Sequence, residues 1–163
     1  MSEAKREGSW IRPLLPALLT VLVDLLGFGI IIPLSNYYAE SYHATKADVM
    51  YLAAVYSVAQ FIFQPMWGAV SDRIGRRPVM LISVLGTAIC LGGYAWGGSL
   101  LALFVWRFLN GACAANISTA QAMVADLTTP ENRAKGMGMI GASFGLGFTL
   151  GPVIGGEMSK SMA

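Results

Sequence analysis

Long apolar intervals separated by short charged stretches run through the whole chain. Removing the charged positions leaves five such intervals, and inside them only Asp24 interrupts the first. A helix that crosses a bilayer needs about 20 mostly apolar residues, so each interval is long enough for one membrane span. The sequence GGS at residues 97–99 is the turn-like break that separates the third span from the fourth. The predicted spans are 13–36, 48–70, 78–97, 100–125 and 136–156.

Composition argues against an ordinary water-soluble domain. Hydrophobic residues make up 55% of the 163 residues and charged residues only 12%, whereas soluble domains carry about 25% charged residues. The first apolar interval is also longer than the roughly 7–15 residues of a signal-peptide core, so we expect it to be retained. Cys90 and Cys113 fall inside spans and lack the spacing of a disulfide framework or a metal site. The sequence therefore predicts an all-α membrane protein without a metal centre.

Basic residues are concentrated in alternate connections between the predicted spans. The membrane side that carries more Lys and Arg is cytoplasmic by the positive-inside rule. That side holds the tail at residues 1–12 and the connections after the second and fourth spans, whereas the other side holds Lys46 and Lys160. We therefore expect a multi-pass protein of the plasma or inner membrane with a cytoplasmic N-terminus, and no nucleic-acid partner. The basic residues on the predicted cytoplasmic side are Lys5, Arg6, Arg12, Arg73, Arg76, Arg77, Arg133 and Lys135.

Aromatic residues mark both ends of the first predicted span. Tyr37, Tyr38 and Tyr42 lie at its outer end, and Trp10 lies at its inner end. Such positions are typical of the membrane interface. Packing between helices would explain the same residues equally well.

Two ionisable residues lie inside the predicted spans. Asp24 is about 11 residues into the first span, which places it near the bilayer midplane at 1.5 Å per residue. A charged side chain there costs about 2.5–3.5 kcal/mol on insertion scales, so we expect Asp24 to face a cavity or a partner. A permanently protonated acid in a helix interface is the alternative. Arg107, in the fourth span, always carries its charge and needs an anion, backbone carbonyls or water.

Polar residues in the second and fourth spans recur at helical spacing. At 100° per residue, those of each span fall on one face of a continuous helix. We expect these two stripes to line one wet cavity together with Asp24, although interhelical hydrogen bonds alone would also explain them. The predicted cavity-lining residues are Ser57, Gln60, Gln64, Asn110, Ser118 and Gln121.

The fifth predicted span carries a glycine every few residues. Small residues on two opposite faces allow two neighbouring helices to approach closely, and Pro152 favours a kink. The span is therefore expected to act as a packing hinge or as a plain packing helix. The two glycine ridges are Gly147, Gly151 and Gly155, and Gly138, Gly141 and Gly145.

Four segments of the sequence resemble the major facilitator superfamily. GAVSDRIGRR at 68–77 is similar to its loop signature between helices two and three, and RFLNG at 107–111 is similar to its fourth-helix arginine motif. The fifth span reproduces the spacing Gx8Gx3GPx2GG that is associated with antiporters in the superfamily. DLLGFGIIIP at 24–33 most resembles the tetracycline/proton antiporter group. The residues of the glycine motif are Gly138, Gly147, Gly151, Pro152, Gly155 and Gly156.

The resemblance implies a proton-coupled efflux antiporter that exports drugs or small amphipathic compounds by alternating access, driven by the proton gradient without a cofactor. Asp24 would be the carboxylate linked to substrate or protons, and Arg107 a cavity arginine involved in proton coupling. Asp72 would be the acid of a cytoplasmic latch, paired with Arg76 in a network with Asp126. In this motif Gly68 and Gly75 would allow close approach and a tight turn, and the arginines also serve as positive-inside anchors. The residues of the latch motif are Gly68, Asp72, Arg73, Gly75, Arg76, Arg77 and Asp126.

The chain departs from the superfamily in its number of helices. Members have two six-helix bundles with the substrate site between them, whereas residues 13–163 supply five spans and lack the sixth helix and the second bundle. We therefore expect the N-terminal part of a larger exporter, with the missing C-terminal half or another membrane protein as its partner. Two alternatives are compatible with the sequence: a transport-incompetent client or partner of membrane-biogenesis machinery, and a half-size transporter completed by homodimerisation or a separate second half. An enzyme is not expected, because His43 is the sole histidine and has no nucleophile or ligand cluster around it.

Overall fold

The computed structural model describes residues 11–114 and 116–162, which are helical almost throughout and contain no β-strand. Within these ranges, five stretches are long and apolar enough to cross a membrane, and the fourth of them contains two helices. The prediction of an all-α protein with five spans is confirmed. After a 3-10 turn at Arg12–Leu14, the helices are α1 (Leu15–Ser41), α2 (Lys46–Ile74), α3 (Arg76–Trp96), α4 (Leu100–Cys113), α5 (Asn116–Leu127) and α6 (Pro130–Met162).

Some sequence predictions fall on residues that lie outside the described ranges. These are the basic residues Lys5 and Arg6 and the aromatic residue Trp10, together with the side chain of Lys160. The helices that the structure describes generally extend beyond the predicted apolar spans. α6, for example, begins at Pro130, six residues before the predicted span at 136.

The connections between helices are short, and local chemistry fixes where each helix begins. At the start of α2, Thr45 and Asp48 form a capping box, with the Thr45 N–H donating to Asp48 Oδ2 at 2.8 Å. α2 and α3 are separated by Gly75, whose φ of +96° is readily adopted by glycine. Ser99 caps α4 by accepting a hydrogen bond from the Ala102 N–H at 3.2 Å. Consecutive spans therefore run antiparallel, as the alternating charge pattern predicts.

α1 lies at the centre of the bundle and packs most extensively against α6. A Cβ at Gly151 would lie 2.7 Å from the Cα of Gly29, and a Cβ at Gly155 would lie 2.6 Å from the carbonyl oxygen of Ile30. Only glycine fits such contacts, so Gly147, Gly151 and Gly155 form the packing ridge against α1. On the opposite ridge, a Cβ built on any of the three glycines would meet no atom of a neighbouring helix within 4 Å in the part of the chain that the structure describes. These glycines are Gly138, Gly141 and Gly145.

Apolar side chains form two buried clusters, one towards each end of α1. The first joins α1 to α3, α5 and α6 through residues such as Val21, Met80 and Val124. The second joins the outer half of α1 to α2, α3 and α4 around Tyr94 and Leu103. Both clusters are built on α1, which explains why this span is the most completely buried of the five.

The tyrosines at the outer end of α1 take part in packing. Tyr38 donates a hydrogen bond from its hydroxyl to the carbonyl of Ala95 at 2.6 Å, and its ring stands edge-on to Tyr94 at 5.7 Å. The Tyr42 hydroxyl accepts a hydrogen bond from the Gly98 N–H at 2.9 Å. These contacts hold the turn between α3 and α4 against α1, so packing is the role that the structure gives to Tyr38 and Tyr42.

The prediction of one continuous helix in the fourth span is wrong. α4 ends at Cys113, and Ala114 leaves the helical region with φ −75° and ψ 71° before α5 begins at Asn116. The break leaves carbonyls of the last turn of α4 without their usual helical donors. Trp67 Nε1 donates to the Ala112 carbonyl at 2.6 Å, and the Ser83 hydroxyl donates to the Cys113 carbonyl. Side chains from α2 and α3 therefore satisfy the backbone that the break exposes.

Candidate functional site

Asp24 lies on α1 inside the bundle, with only 7% of its surface exposed. The Thr87 hydroxyl of α3 donates a hydrogen bond to Asp24 Oδ1 at 3.2 Å. Asn116, the first residue of α5, lies beside the same carboxyl. Among the described residues no cation forms an ion pair with Asp24. One hydrogen bond, from Thr87 on α3, therefore holds the carboxyl, and a second neutral polar side chain, Asn116 on α5, lies close to it.

A pocket of about 150 Å³ opens beside Asp24 between α1, α2, α5 and α6. One part of its wall is polar, from Asp24, Ser57 and Gln60, and the rest is largely aromatic. Such a lining suits a molecule with both polar and apolar parts. The residues that line the pocket are Asp24, Leu25, Phe28, Tyr56, Ser57, Gln60, Ile117, Phe144 and Phe148.

A second and smaller cavity of about 70 Å³ also includes Asp24 in its lining. It lies between α1 and α3, and its other lining residues are apolar except for Thr87. Asp24 thus takes part in a polar and aromatic pocket and in a nearly apolar one. The carboxyl is the element that the two cavities share.

Arg107 is buried on α4, with 2% of its surface exposed. Its guanidinium carbon lies 4.7 Å from the centroid of the Tyr56 ring and 5.3 Å from that of Phe28. Nε and Nη1 have no hydrogen-bond partner among the described residues, and Arg107 takes part in no ion pair there. The guanidinium therefore lies against two aromatic faces, which attract a cation through the ring quadrupole.

The predicted polar stripes are only partly brought together. Ser57 and Gln60 line the pocket next to Asp24, whereas Gln64, Asn110, Ser118 and Gln121 are not among the lining residues. Asn110 is buried on α4, whereas Gln121 is exposed on α5. The stripe predicted across the fourth span assumed one unbroken helix. Because the helix stops at Ala114, its phase is not carried from Arg107 to Gln121.

Several buried polar residues, two of them next to Asp24, were not predicted from the sequence. Asn116 and Thr119 are completely buried at the start of α5, although on a continuous helix Asn116 would lie opposite Arg107. Thr87 belongs to a row of polar residues in α3 that also contains Ser83, at a spacing of four residues. That spacing was a signal in the sequence that could have identified Thr87, whereas no local signal marks the break that places Asn116.

At the end of the bundle where α2 meets α3, the structure brings the predicted acid and arginine residues into one network. Arg76 Nη1 lies 2.6 Å from Asp72 Oδ1, and Arg76 Nε donates to Asp126 Oδ2 at 3.1 Å. Arg76 Nη1 also donates to the Ser71 hydroxyl at 2.6 Å. The network links the end of α2 and the start of α3 to the end of α5. Arg73 and Arg77 are exposed next to it.

The two glycines of the predicted latch motif, Gly68 and Gly75, differ in their surroundings. Gly75 makes the tight turn expected of it, with φ +96°. The close approach expected at Gly68 is not found in the described structure, because a Cβ built there would meet no atom within 4 Å. Gly68 lies on the outer surface of α2, where none of the described helices covers it.

These features define a multi-pass membrane protein with a buried carboxyl and a pocket enclosed by its helices. The family model of the Major Facilitator Superfamily matches residues 17–162, and the chain therefore belongs to this superfamily of membrane transporters. The chain is 38% identical to the tetracycline resistance protein, class B, of Escherichia coli over 86% of its own length. It is 39% identical to the class C protein of Escherichia coli over 84% of its length. It is also 34% identical to the human major facilitator superfamily domain-containing protein 10 over 89% of its length.

The chain spans little more than a third of the length of these relatives. The matched part is 36% of the class B protein, 35% of the class C protein and 38% of the human protein. A transporter of this superfamily places its substrate site between two bundles. The described helices therefore correspond to part of such a protein.

Proposed function

We propose that the chain is part of a proton-coupled efflux antiporter of the plasma or inner membrane, which exports drugs or small amphipathic compounds by alternating access. The proton gradient drives the exchange without a cofactor, and the N-terminus lies in the cytoplasm. A C-terminal half or another membrane protein supplies the rest of the pathway. The similarity to tetracycline resistance proteins and the polar and aromatic character of the pocket support this proposal.

The buried carboxyl of Asp24 at the pocket wall is the observation that carries the proposal. A carboxylate buried inside a membrane protein is unfavourable in free energy unless it is protonated or faces a charged or polar partner. A proton and a polar or cationic part of the substrate can therefore compete for one carboxyl. Such competition couples export of the substrate to entry of the proton, because release of one favours binding of the other.

Aromatic side chains form the part of the pocket that would receive the apolar portion of a substrate. Phe28 contacts the ring of Tyr56 at 5.2 Å and that of Phe148 at 5.7 Å. Arg107 lies behind Phe28 and Tyr56 and holds these rings by cation–π contact. In the proposed transporter, Arg107 therefore influences proton coupling through the rings that border Asp24.

The cytoplasmic network gives the proposed transporter a means to stabilise one of its states. Arg76 already joins Asp72 and Asp126 within this bundle. Asp72 is exposed, so it is also available to a charged or helical partner from the rest of the transporter. Exposed ion pairs contribute little on their own, about 0.2–1 kcal/mol, which suits a latch that has to open in every cycle.

The proposal is tested by replacing Asp24 with asparagine in the complete reading frame that contains these residues. Asp24→Asn keeps the shape and polarity of the side chain but removes its ability to ionise. Uptake of radiolabelled tetracycline and of the fluorescent cation ethidium is measured in everted membrane vesicles with an imposed proton gradient. We expect accumulation of each compound against its own concentration gradient to be abolished, while the amount of protein in the membrane is unchanged.

Glu131→Gln provides the matched control, because this acid is exposed in the first turn of α6 and lies outside the pocket. The control is expected to accumulate both compounds as well as the wild type does. Undiminished uphill accumulation by Asp24→Asn would remove Asp24 from the mechanism. Absence of gradient-driven accumulation in the wild type for both compounds would contradict the proposed antiport of such molecules.

A further inference from the structure

The break in the fourth span is stabilised by side chains from other helices. Trp67 and Ser83, from two different helices, satisfy the carbonyls of Ala112 and Cys113 that the break leaves open. An interruption that arose only from a weak helix would leave such groups unpaired at a considerable cost. The bundle instead stabilises α5 as a separate helix, with Asn116 at its first position.

Two side chains at the start of α5 are completely buried with polar atoms that lack partners. Asn116 and Thr119 are both 0% exposed. Both polar atoms of the Asn116 amide, and the Thr119 hydroxyl oxygen, have no hydrogen-bond partner among the described residues. Because these residues are three positions apart on α5, they lie on the same face of the helix. Each buried polar group left without a partner keeps the full free-energy cost of its desolvation.

The position of these groups relative to Asp24 distinguishes them from other buried polar residues. Asn116 lies next to the Asp24 carboxyl, which Thr87 reaches from the other side with a hydrogen bond. The titratable groups of neighbouring helices that lie close enough to sense the Asp24 carboxyl are Tyr56 on α2 and Cys113 on α4. The Asn116 amide, which has no hydrogen-bond partner among the described residues, therefore shares a helix face with Thr119 and lies near the Asp24 carboxyl of α1.

Buried water is the ordinary solution for such a set of groups. An internal water molecule typically makes about three hydrogen bonds to buried polar atoms that would otherwise be unsatisfied. Its immobilisation costs less free energy than leaving several buried polar atoms unpaired. An amide and a hydroxyl on one helix face provide both donors and acceptors for it.

We propose that Asn116 and Thr119 hold an internal water molecule at the break between α4 and α5, and that Asn116 is thereby a positioning residue for the Asp24 carboxyl. The water site itself stands independently of transport. Its consequence for proton exchange at Asp24 rests on the proposed function. In that function the water supplies a short hydrogen-bonded route by which a proton reaches the Asp24 carboxyl from the side of α5.

The water site is tested by solid-state nuclear magnetic resonance on the complete polypeptide in lipid bilayers. Polarisation transfer from water protons to the side-chain amide of Asn116 is measured at short mixing times. We expect clear transfer in the wild type, a several-fold loss in Thr119→Val and recovery in Thr119→Ser. Thr149→Val is the matched control, because the Thr149 hydroxyl is exposed on α6 and donates to the Gly145 carbonyl at 2.7 Å.

The role of Asn116 as a positioning residue is tested by infrared difference spectroscopy of the Asp24 carboxyl. In acidified samples the band of the protonated acid is identified by its loss in Asp24→Asn. Asn116→Leu is expected to shift this band to higher wavenumber, because the carboxyl loses the water that the amide holds beside it, whereas Thr149→Val leaves it in place. An unmoved band in Asn116→Leu would contradict the positioning role.

The outcomes separate this inference from the proposed function. Absence of water transfer to Asn116 in the wild type overturns the water site, whatever the variants do, and leaves the transport proposal standing. Absence of gradient-driven accumulation in the wild type contradicts the transport proposal and leaves the water site standing. If Thr119→Val does not fold, the wild-type measurement and Thr119→Ser still decide the question.

Discussion

Arg107 lies inside the bundle with its guanidinium against two adjacent aromatic rings. The charge is permanent, so its environment has to stabilise it without the option of deprotonation. Tyr56 and Phe28 provide that stabilisation at centroid distances of 4.7 and 5.3 Å. A cation–π contact is worth about 2 kcal/mol or more when it is shielded from water. At the scale of the residue, the burial of this charge is thus explained by its neighbours on α1 and α2.

The contact between Arg107 and Tyr56 predicts a specific energetic coupling. We expect Arg107→Lys and Tyr56→Leu each to lower the thermal stability of the complete polypeptide in detergent. A compact ammonium group would not spread over both rings as the planar guanidinium does. A double-mutant cycle should give a coupling energy of about 0.5–2 kcal/mol. Phe61→Leu is the control, since this ring is 80% exposed on the surface of α2, and additive effects of the first two changes would contradict the contact.

At the scale of the element, the glycines of α6 divide into a used and an unused ridge. Gly151 touches the backbone of α1, and a Cβ there would overlap Gly29. Gly141, on the other ridge, has room for a side chain. Close helix contact in membranes depends on such small residues, because van der Waals packing replaces the hydrophobic effect as the driving force between helices. The pairing of α1 with α6 is therefore set by one face of α6.

The two ridges supply a matched pair of substitutions. Gly151→Ala is expected to destabilise the bundle by about 1–3 kcal/mol, because the added methyl group forces α1 and α6 apart. Gly141→Ala is expected to be neutral or slightly stabilising, since alanine favours a helix over glycine by about 1 kcal/mol. Thermal melting of both variants in the same detergent measures the difference. Equal melting temperatures would show that α1 and α6 do not pack through this ridge.

At the scale of the whole molecule, much of the apolar surface of the bundle is exposed. Large side chains on α2, α3 and α6 face outward, including Phe61, Leu85 and Val153. In a membrane protein such surfaces face lipid or another part of the same transporter. Charged residues gather instead at the ends of the helices, where the network around Arg76 lies. The two ends of the bundle, measured along the helix axes, therefore differ in their charge.

The orientation of the bundle is predicted to place the charge network in the cytoplasm. Single cysteines are introduced at Ser2, Arg77 and Ala47 after alanine replaces Cys90 and Cys113. In intact cells a membrane-impermeant maleimide should label only the variant at Ala47, because it lies on the side with few basic residues. All three should react once the cells are made permeable, which controls for accessibility. Labelling of the Arg77 variant from outside would reverse the topology.

Sequence by itself determined the number of spans, the all-α class and the family resemblance. Each of these depends on local properties: the transfer of about 20 apolar residues into lipid, and the spacing of short motifs along the chain. The motif residues Asp72, Arg76 and Asp126 were named from the resemblance, and they do meet in the structure. The ridge of Gly147, Gly151 and Gly155 was likewise visible from a four-residue period, because helical spacing fixes which residues share a face.

Only the tertiary structure decided which polar groups surround Asp24 and what stabilises Arg107. Residue spacing predicts which side chains share a face only within one unbroken helix. The break at Ala114 interrupts the fourth span, so the spacing across it does not predict a shared face. The groups that make the break tolerable, Trp67 and Ser83, lie on other helices and are distant in the chain. A pattern along one segment reports its preference for lipid or water. The rotation and depth of each helix, which bring Asn116 to Asp24, follow from contacts among all of the helices together.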